Sequence, residues 1–214
     1  MEEKTDLQER QQTLADRLKA RATNLTKRQL EELMVILIDA SGSMADRCKN
    51  GQTKMEAVKE SVPHLHARGS YVEYGMVSFD STPQALQQPT TNFSAILLHL
   101  DVLRPGSSTN IPSALGEGLK MFVERQVERK RMILLSDGQN MEESYNMDER
   151  IEDCKRMKVV VDTIAFGENA DINLLQKIAA QTGGVFQKVN SPLQLGDAYK
   201  RLNFQTRYLT YQEK

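Results

Sequence analysis

The stretch Met34-Val35-Ile36-Leu37-Ile38-Asp39-Ala40-Ser41-Gly42-Ser43-Met44 constrains this chain more than any other. Its first five residues are apolar without a break and largely β-branched. A strand wetted on one face alternates polar and apolar residues; an unbroken run of this length suits a strand covered on both faces. It is far too short to cross a bilayer. The run stops on Asp39, Ser41 and Ser43, three oxygen-bearing side chains at alternate positions. In an open α/β sheet, ligands bind just beyond the carboxyl ends of the strands, where these oxygens emerge. Oxygen-only donors suit a hard cation such as Mg2+ rather than Zn2+ or copper. The same residue types also make helix N-caps and polar loops, so these three alone fit either reading.

The chain after this run alternates between strand and helix patterns. Met55, Val58, Val62 and Leu65 have helical spacing over 54–67, with Pro63 expected to kink or end the helix early. Residues 71–79 (YVEYGMVSF) read as a strand entering the turn Asp80-Ser81-Thr82-Pro83, and Gln84-Ala85-Leu86 as a short edge strand. Ile96, Leu97, Leu100 and Leu103 mark a helix over 93–103. The polar loop Gly106-Ser107-Ser108-Thr109-Asn110 leads into a helix over 111–127, with Pro112 in its first turn. Met132 to Leu135 is a second buried-strand run, closed by Ser136-Asp137-Gly138. A charged helix over 148–157, a strand over 159–166, a helix over 171–181, a short strand from Val185 and a helix over 191–203 complete the pattern. Strict alternation of this kind predicts an α/β fold with a doubly wound, mostly parallel central sheet flanked by helices.

Residues 1–32 differ in composition. They lack Gly and Pro and are dominated by good helix formers. Leu7, Leu14, Leu18 and Leu25 form an a/d-like stripe, and Thr5 to Gln8 and Thr26 to Gln29 each fit a capping box. The expectation is an N-terminal helical extension over 1–32, in two helices that break near Asn24, ahead of a domain over 33–214. Gln11 and Arg21 interrupt the stripe, which favours packing on the same chain over a long coiled coil.

A formal net charge of −1 predicts no electrostatic footprint for nucleic acid or an anionic membrane. Cys48 and Cys154 form no CxxC or Cys/His pattern and read as free thiols of a reducing compartment. The charged N-terminus lacks the apolar core of a signal peptide, and no stretch is long and apolar enough to span a bilayer. The expected location is cytoplasmic. The histidines His64, His66 and His99 lack the neighbours a metal site needs. Asp80 reads as a turn former, with a place on the same edge of the sheet as its lesser reading, and Asp46, close after the first motif, could tune it electrostatically, again as the lesser reading.

Parallel strands bring all their carboxyl ends to one edge of the sheet, where Asp39 to Ser43, the Thr109 loop and Asp137 can meet. Asp39-x-Ser41-x-Ser43, Thr109-Asn110 in a Gly/Ser-rich loop and Ser136-Asp137-Gly138, in that order, resemble the metal-ion-dependent adhesion site of von Willebrand factor A domains. The resemblance runs from about Leu33 to the C-terminus. It implies direct Mg2+ ligation by the Ser41 and Ser43 hydroxyls, with Mn2+ or Ca2+ as alternatives. Thr109 would ligate directly or through water, and Asp39 and Asp137 mostly through water or hydrogen bonds. Neutral hydroxyls leave the ion poorly neutralised and attractive to an Asp or Glu carboxylate of a protein partner. The family often has Gly-Gly before this Thr, where this chain has Ser107-Ser108, which narrows the backbone shapes open to the loop.

The function implied is a non-enzymatic, metal-dependent protein-binding module. Intracellular relatives often act as adaptors in multiprotein machines, including with AAA+ ATPases. The competing enzyme class is a Mg2+-dependent hydrolase of the haloacid-dehalogenase type. That chemistry needs a second carboxylate near Ser41, one Asp acting as nucleophile and the next as acid/base. Serine cannot supply it, and Asp39 removes the GxSxG elbow of a lipase-like site.

Overall fold

The computed structural model describes residues 32–66, 72–138 and 147–212, with side chains as far as residue 202. β1 (Glu32–Asp39) is buried along its whole length. Its alternate residues enter two different cores. Met34, Ile36 and Ile38 pack with Ile133, Leu135 and Ile164 on one face. Leu33, Val35 and Leu37 pack with Met132, Leu134 and Val161 on the other. Each such side chain stabilises the fold by roughly 1.5–3 kcal/mol on burial, which is why an unbroken apolar run is needed at the centre of the sheet.

The other strands are β2 (Val72–Phe79), β3 (Pro83–Thr90), β4 (Arg129–Ser136), β5 (Val159–Phe166) and β6 (Phe186–Val189). They form one six-stranded sheet in the order β3-β2-β1-β4-β5-β6. Every neighbouring pair is parallel except β2 with β3. Ile36 lies between Met76 of β2 and Ile133 of β4. The chain winds from β1 towards β3 on one side and from β4 towards β6 on the other. The reversal lies between β1 and β4, and connections diverging from such a point leave a crevice at the carboxyl edge. Asp39 and Ser136 are the last residues of those two strands.

Three helices cover one face: α1 (Lys54–Ser61), α2 (Phe93–Val102) and α6 (Pro192–Gln212), through Val58, Ile96, Leu195 and Tyr199. The other face carries α3 (Ile111–Lys120), α4 (Met147–Arg156) and α5 (Ile172–Thr182), through Leu115, Ile151 and Ile178. Caps set the starts. Thr53 and Glu56 form a capping box on α1, while Asn92, Asn110 and Asp171 each accept a backbone N–H of the helix they precede. α1 stops at Ser61 and the chain tightens into a 3-10 turn, Val62–Leu65, around Pro63, as that proline requires.

The structure departs from the sequence pattern in three elements. α3 ends at Lys120 rather than Val127; the chain turns over 121–124, with Glu124 at a φ of 60°. Met121 and Phe122 remain buried in that turn, so apolar spacing outlasts the helix. β3 spans Pro83–Thr90 rather than three residues. It pairs on one side only, tolerates Pro83 and Pro89 for that reason, and lacks apolar alternation because its residues are half exposed. The last helix runs to Gln212 instead of Asn203. Of the helical extension expected over 1–32, residues 1–31 lie outside the described residues, and Glu32 opens β1 instead.

Candidate metal centre

The site is built from three connections at the carboxyl edge. After Asp39, the Ala40 N–H donates to the Phe79 carbonyl at 2.7 Å, keeping the chain beside β2 for one more residue. Ser41 is extended and a single 3-10 turn, Gly42–Ala45, follows. Asp39 is fully buried. Its Oδ1 accepts the Ser41 N–H at 2.8 Å and its Oδ2 accepts the Ser136 hydroxyl at 2.6 Å. The hydroxyls of Ser41 and Ser43 lie 3.1 Å apart, and Ser43 Oγ donates to Asp137 Oδ1 at 2.8 Å. Two side-chain bridges thus join the ends of β1 and β4.

The loop between α2 and α3 closes the third side. The Gly106 N–H donates to the Ala40 carbonyl at 2.5 Å, and the Gly42 N–H to the Ser107 carbonyl at 2.7 Å. Asp80 fixes the far end: it accepts the Thr82 N–H at 3.0 Å and the Ser107 N–H at 3.3 Å. The Ser81 and Ser107 hydroxyls are 2.9 Å apart. A Cβ on residue 106 would come within 2.3 Å of Asp80 Oδ2, so the close approach of this loop depends on glycine. Thr109 is buried. A Cβ on Gly138 would meet Thr109 Oγ1 at 3.1 Å and Ser43 Oγ at 3.5 Å. The three connections therefore meet beside Gly138: Thr109 and Ser43 face it, Ser41 and Asp137 adjoin Ser43, and Asp39 holds Ser41.

Burial pushes the Asp39 carboxyl up to about 6, the Asp137 charge adding a little and the Ser136 and Ser41 hydrogen bonds opposing. The Thr82 N–H, helped by Ser107, holds Asp80 below the usual carboxylate range. A cation also sits in the site. Lys54, the first residue of α1, has a side chain only 11% exposed; its Nζ donates to Asp137 Oδ2 at 2.5 Å and lies 3.6 Å from Asp46 Oδ2.

Ser136 and Lys54 escaped the sequence reading as contributors, and Asp80 entered it only as the lesser of two readings. Ser136 sat inside the recognised Ser-Asp-Gly triplet, adjacent to a residue already assigned. Asp80 was read as a turn former, which it is, but it also carries the Ser107 loop. Lys54 opens a helix in the sequence pattern, and nothing there ties it to Asp137, 83 residues away. His66 stacks on Phe93 with centroids 4.9 Å apart, an aromatic contact in keeping with a non-metal role. Cys48 and Cys154 are both free thiols.

Among the described residues, no three His, Cys, Asp or Glu side chains converge as a metal-binding group. The five candidate ligands offer two carboxylates and three hydroxyls. That donor set fits a hard divalent cation and lacks the nitrogen and sulfur preferred by softer ions. Among the described residues no helix is long and apolar enough to cross a membrane.

Comparison with solved structures shows the same fold. A von Willebrand factor type A protein from Catenulispora acidiphila is 22% identical with a TM-score of 0.70, over 82% of this chain and 42% of that one. An aerotolerance-related membrane protein from Bacteroides fragilis is 17% identical with a TM-score of 0.68, over 83% and 99%. The mussel byssus proximal thread matrix protein 1, solved with a zinc-occupied MIDAS motif, is 21% identical with a TM-score of 0.65, over 82% and 46%. This chain thus spans less than half of the first and third of these proteins. No curated protein matches. The family model for the von Willebrand factor type A domain matches residues 34–201, and on that match, with the sheet and helices described above, the chain belongs to the von Willebrand factor type A domain family.

Proposed function

We propose that this domain is a non-enzymatic protein-binding module that holds a divalent cation at the carboxyl edge of its sheet and uses it to capture a carboxylate of a partner protein. The observation that supports this reading is the meeting of three separate connections, where Asp39, Ser41, Ser43 and Asp137 are linked by hydrogen bonds and Ser43 and Thr109 both lie beside Gly138. Ser41 and Ser43 would hold the ion directly, Thr109 directly or through water, and Asp39 and Asp137 through water or hydrogen bonds. Mg2+ is the expected ion, with Mn2+ and Ca2+ as alternatives. The ion supplies a Lewis-acidic positive centre for an Asp or Glu side chain of the partner. Asp39 orients the Ser41 backbone N–H, Asp137 orients the Ser43 hydroxyl, and Ser136 holds Asp39 in place.

A hydrolase of the haloacid-dehalogenase type is disfavoured by Ser41 itself, which cannot act as the acid/base that such an enzyme requires beside its nucleophile. The free thiols Cys48 and Cys154 support a reducing, cytoplasmic setting. There the domain over 33–214 would act as an adaptor in a larger assembly, an AAA+ ATPase among the candidate partners, with residues 1–32 as a separate helical extension.

Calorimetry with Mg2+ tests the site: Ser41→Ala and Asp39→Ala are each expected to weaken binding strongly, and unchanged affinity in both would overturn the assignment. Affinity capture with and without EDTA tests the partner. A protein retained equally in EDTA and by Thr109→Ala would place recognition elsewhere on the chain.

A further inference from the structure

We propose that Lys54 is a built-in counter-cation of this site, competing with the divalent ion for Asp137 and leaving the loaded site with one unit of positive charge for the partner's carboxylate. This rests on the reading just given, and four observations support it. First, Lys54 is where helix physics would not put a lysine. It opens α1 immediately after the Thr53 cap, and the N-terminal turn of a helix favours acids and disfavours cations. Second, its side chain is only 11% exposed, although lysine rarely gives up water without a partner. Third, the ammonium is aimed at the site: its Nζ donates to Asp137 Oδ2 at 2.5 Å, while the other oxygen of that carboxylate accepts the Ser43 hydroxyl at 2.8 Å. Fourth, the stem packs beside the turn at Gly167, where an added Cβ would lie at ordinary contact distance, 3.6 Å from Lys54 Cε.

The charges give the consequence. Asp39 and Asp137 are both fully buried, and two buried carboxylates without a cation would be costly. Lys54 neutralises one of them in the absence of metal. A divalent ion then brings the sum of Asp39, Asp137, Lys54 and metal to one positive unit. Asp46, 3.6 Å from the ammonium, stands outside this sum of buried charges: its carboxylate is 62% exposed, and water around it weakens its pull. One partner carboxylate completes neutrality. The same ammonium repels the incoming ion, so the site exchanges affinity for metal against affinity for the partner.

The test uses the whole chain with Lys54→Gln, which keeps an N–H donor within reach of Asp137 but no charge, and Lys54→Met beside it. In calorimetry with MgCl2, Lys54→Gln is expected to bind Mg2+ roughly tenfold more tightly or better, and to melt at a lower temperature than wild type in EDTA. If wild type binds Mg2+ and the variants bind it no more tightly, the counter-cation proposal falls and the metal site stands. If the variants bind and wild type does not, the proposal stands and metal dependence of the native chain falls. If neither binds, both fall. Should the variants fail to fold, the wild-type ammonium can be followed by nitrogen NMR. Its signal is expected to shift on saturation with Mg2+, and an unmoved signal would overturn the proposal.

Discussion

At the scale of single residues, Asp39 ties folding to binding. Its pKa is raised from 3.8 to about 6, chiefly by burial, so the folded protein binds this proton more tightly than the unfolded chain does. The group's contribution to stability is therefore greatest below the unfolded value and is lost as pH rises through about 6. Above that pH the buried charge costs stability that a cation would relieve. The thermal stabilisation given by Mg2+ should accordingly be large near neutral pH and shrink by about pH 5, because metal must then displace a proton. A stabilisation that is the same at both pH values would contradict this. Ser136→Ala removes a 2.6 Å hydrogen bond to the same carboxylate. It should cost about 1–3 kcal/mol in denaturant unfolding and move the pH window upward. Asp39, Ser41 and Ser43 were legible in the sequence because they are near neighbours at alternate positions. Ser136 and Lys54 were not, because their meaning lies in partners 97 and 83 residues away.

At the scale of elements, the connections are stitched to one another more than to the helices they lead into. Gly106 and Ser107 hold the first motif through Ala40 and Gly42, and Asp80 holds Ser107 in turn. The Ser107 hydroxyl reaches Ser81, so this serine fastens the loop to the β2–β3 turn. Asp80→Ala should lose about 1–2 kcal/mol of stability and weaken Mg2+ binding although Asp80 bears no proposed ligand role. Stability lost with metal affinity intact would separate the loop from the site. Gly106→Ala should do at least as much damage, since its methyl would have to displace the Asp80 carboxylate. The buried strands were legible because burial on both faces leaves an unbroken apolar run. The edge strand β3 and the end of α3 were not. One-sided pairing asks little of the β3 sequence, and Met121 and Phe122 keep a helical spacing in a turn.

At the scale of the whole domain, the strand order explains why residues so far apart can act together. Because the winding reverses between β1 and β4, the two strands that lead into Asp39 and Ser136-Asp137 are hydrogen-bonded neighbours, and the loop between α2 and α3 closes over the end of β1. Leu37, fully buried between Val77 and Leu134, anchors that arrangement. Leu37→Ala should cost about 2–5 kcal/mol, read as a lowered unfolding midpoint, without abolishing Mg2+ binding by the fraction that remains folded. The doubly wound sheet follows from strand and helix alternation alone, whereas the pairing of α1 with Asp137 through Lys54 joins residues 83 apart and leaves no trace in that alternation. The most direct measurement is a crystal of the whole chain soaked in MnCl2 and examined for anomalous scattering. A single peak within coordination distance of Ser41 Oγ and Ser43 Oγ, absent from Ser41→Ala crystals, is the expected result; no peak there in the wild-type protein would contradict the cation site on which the proposed function rests.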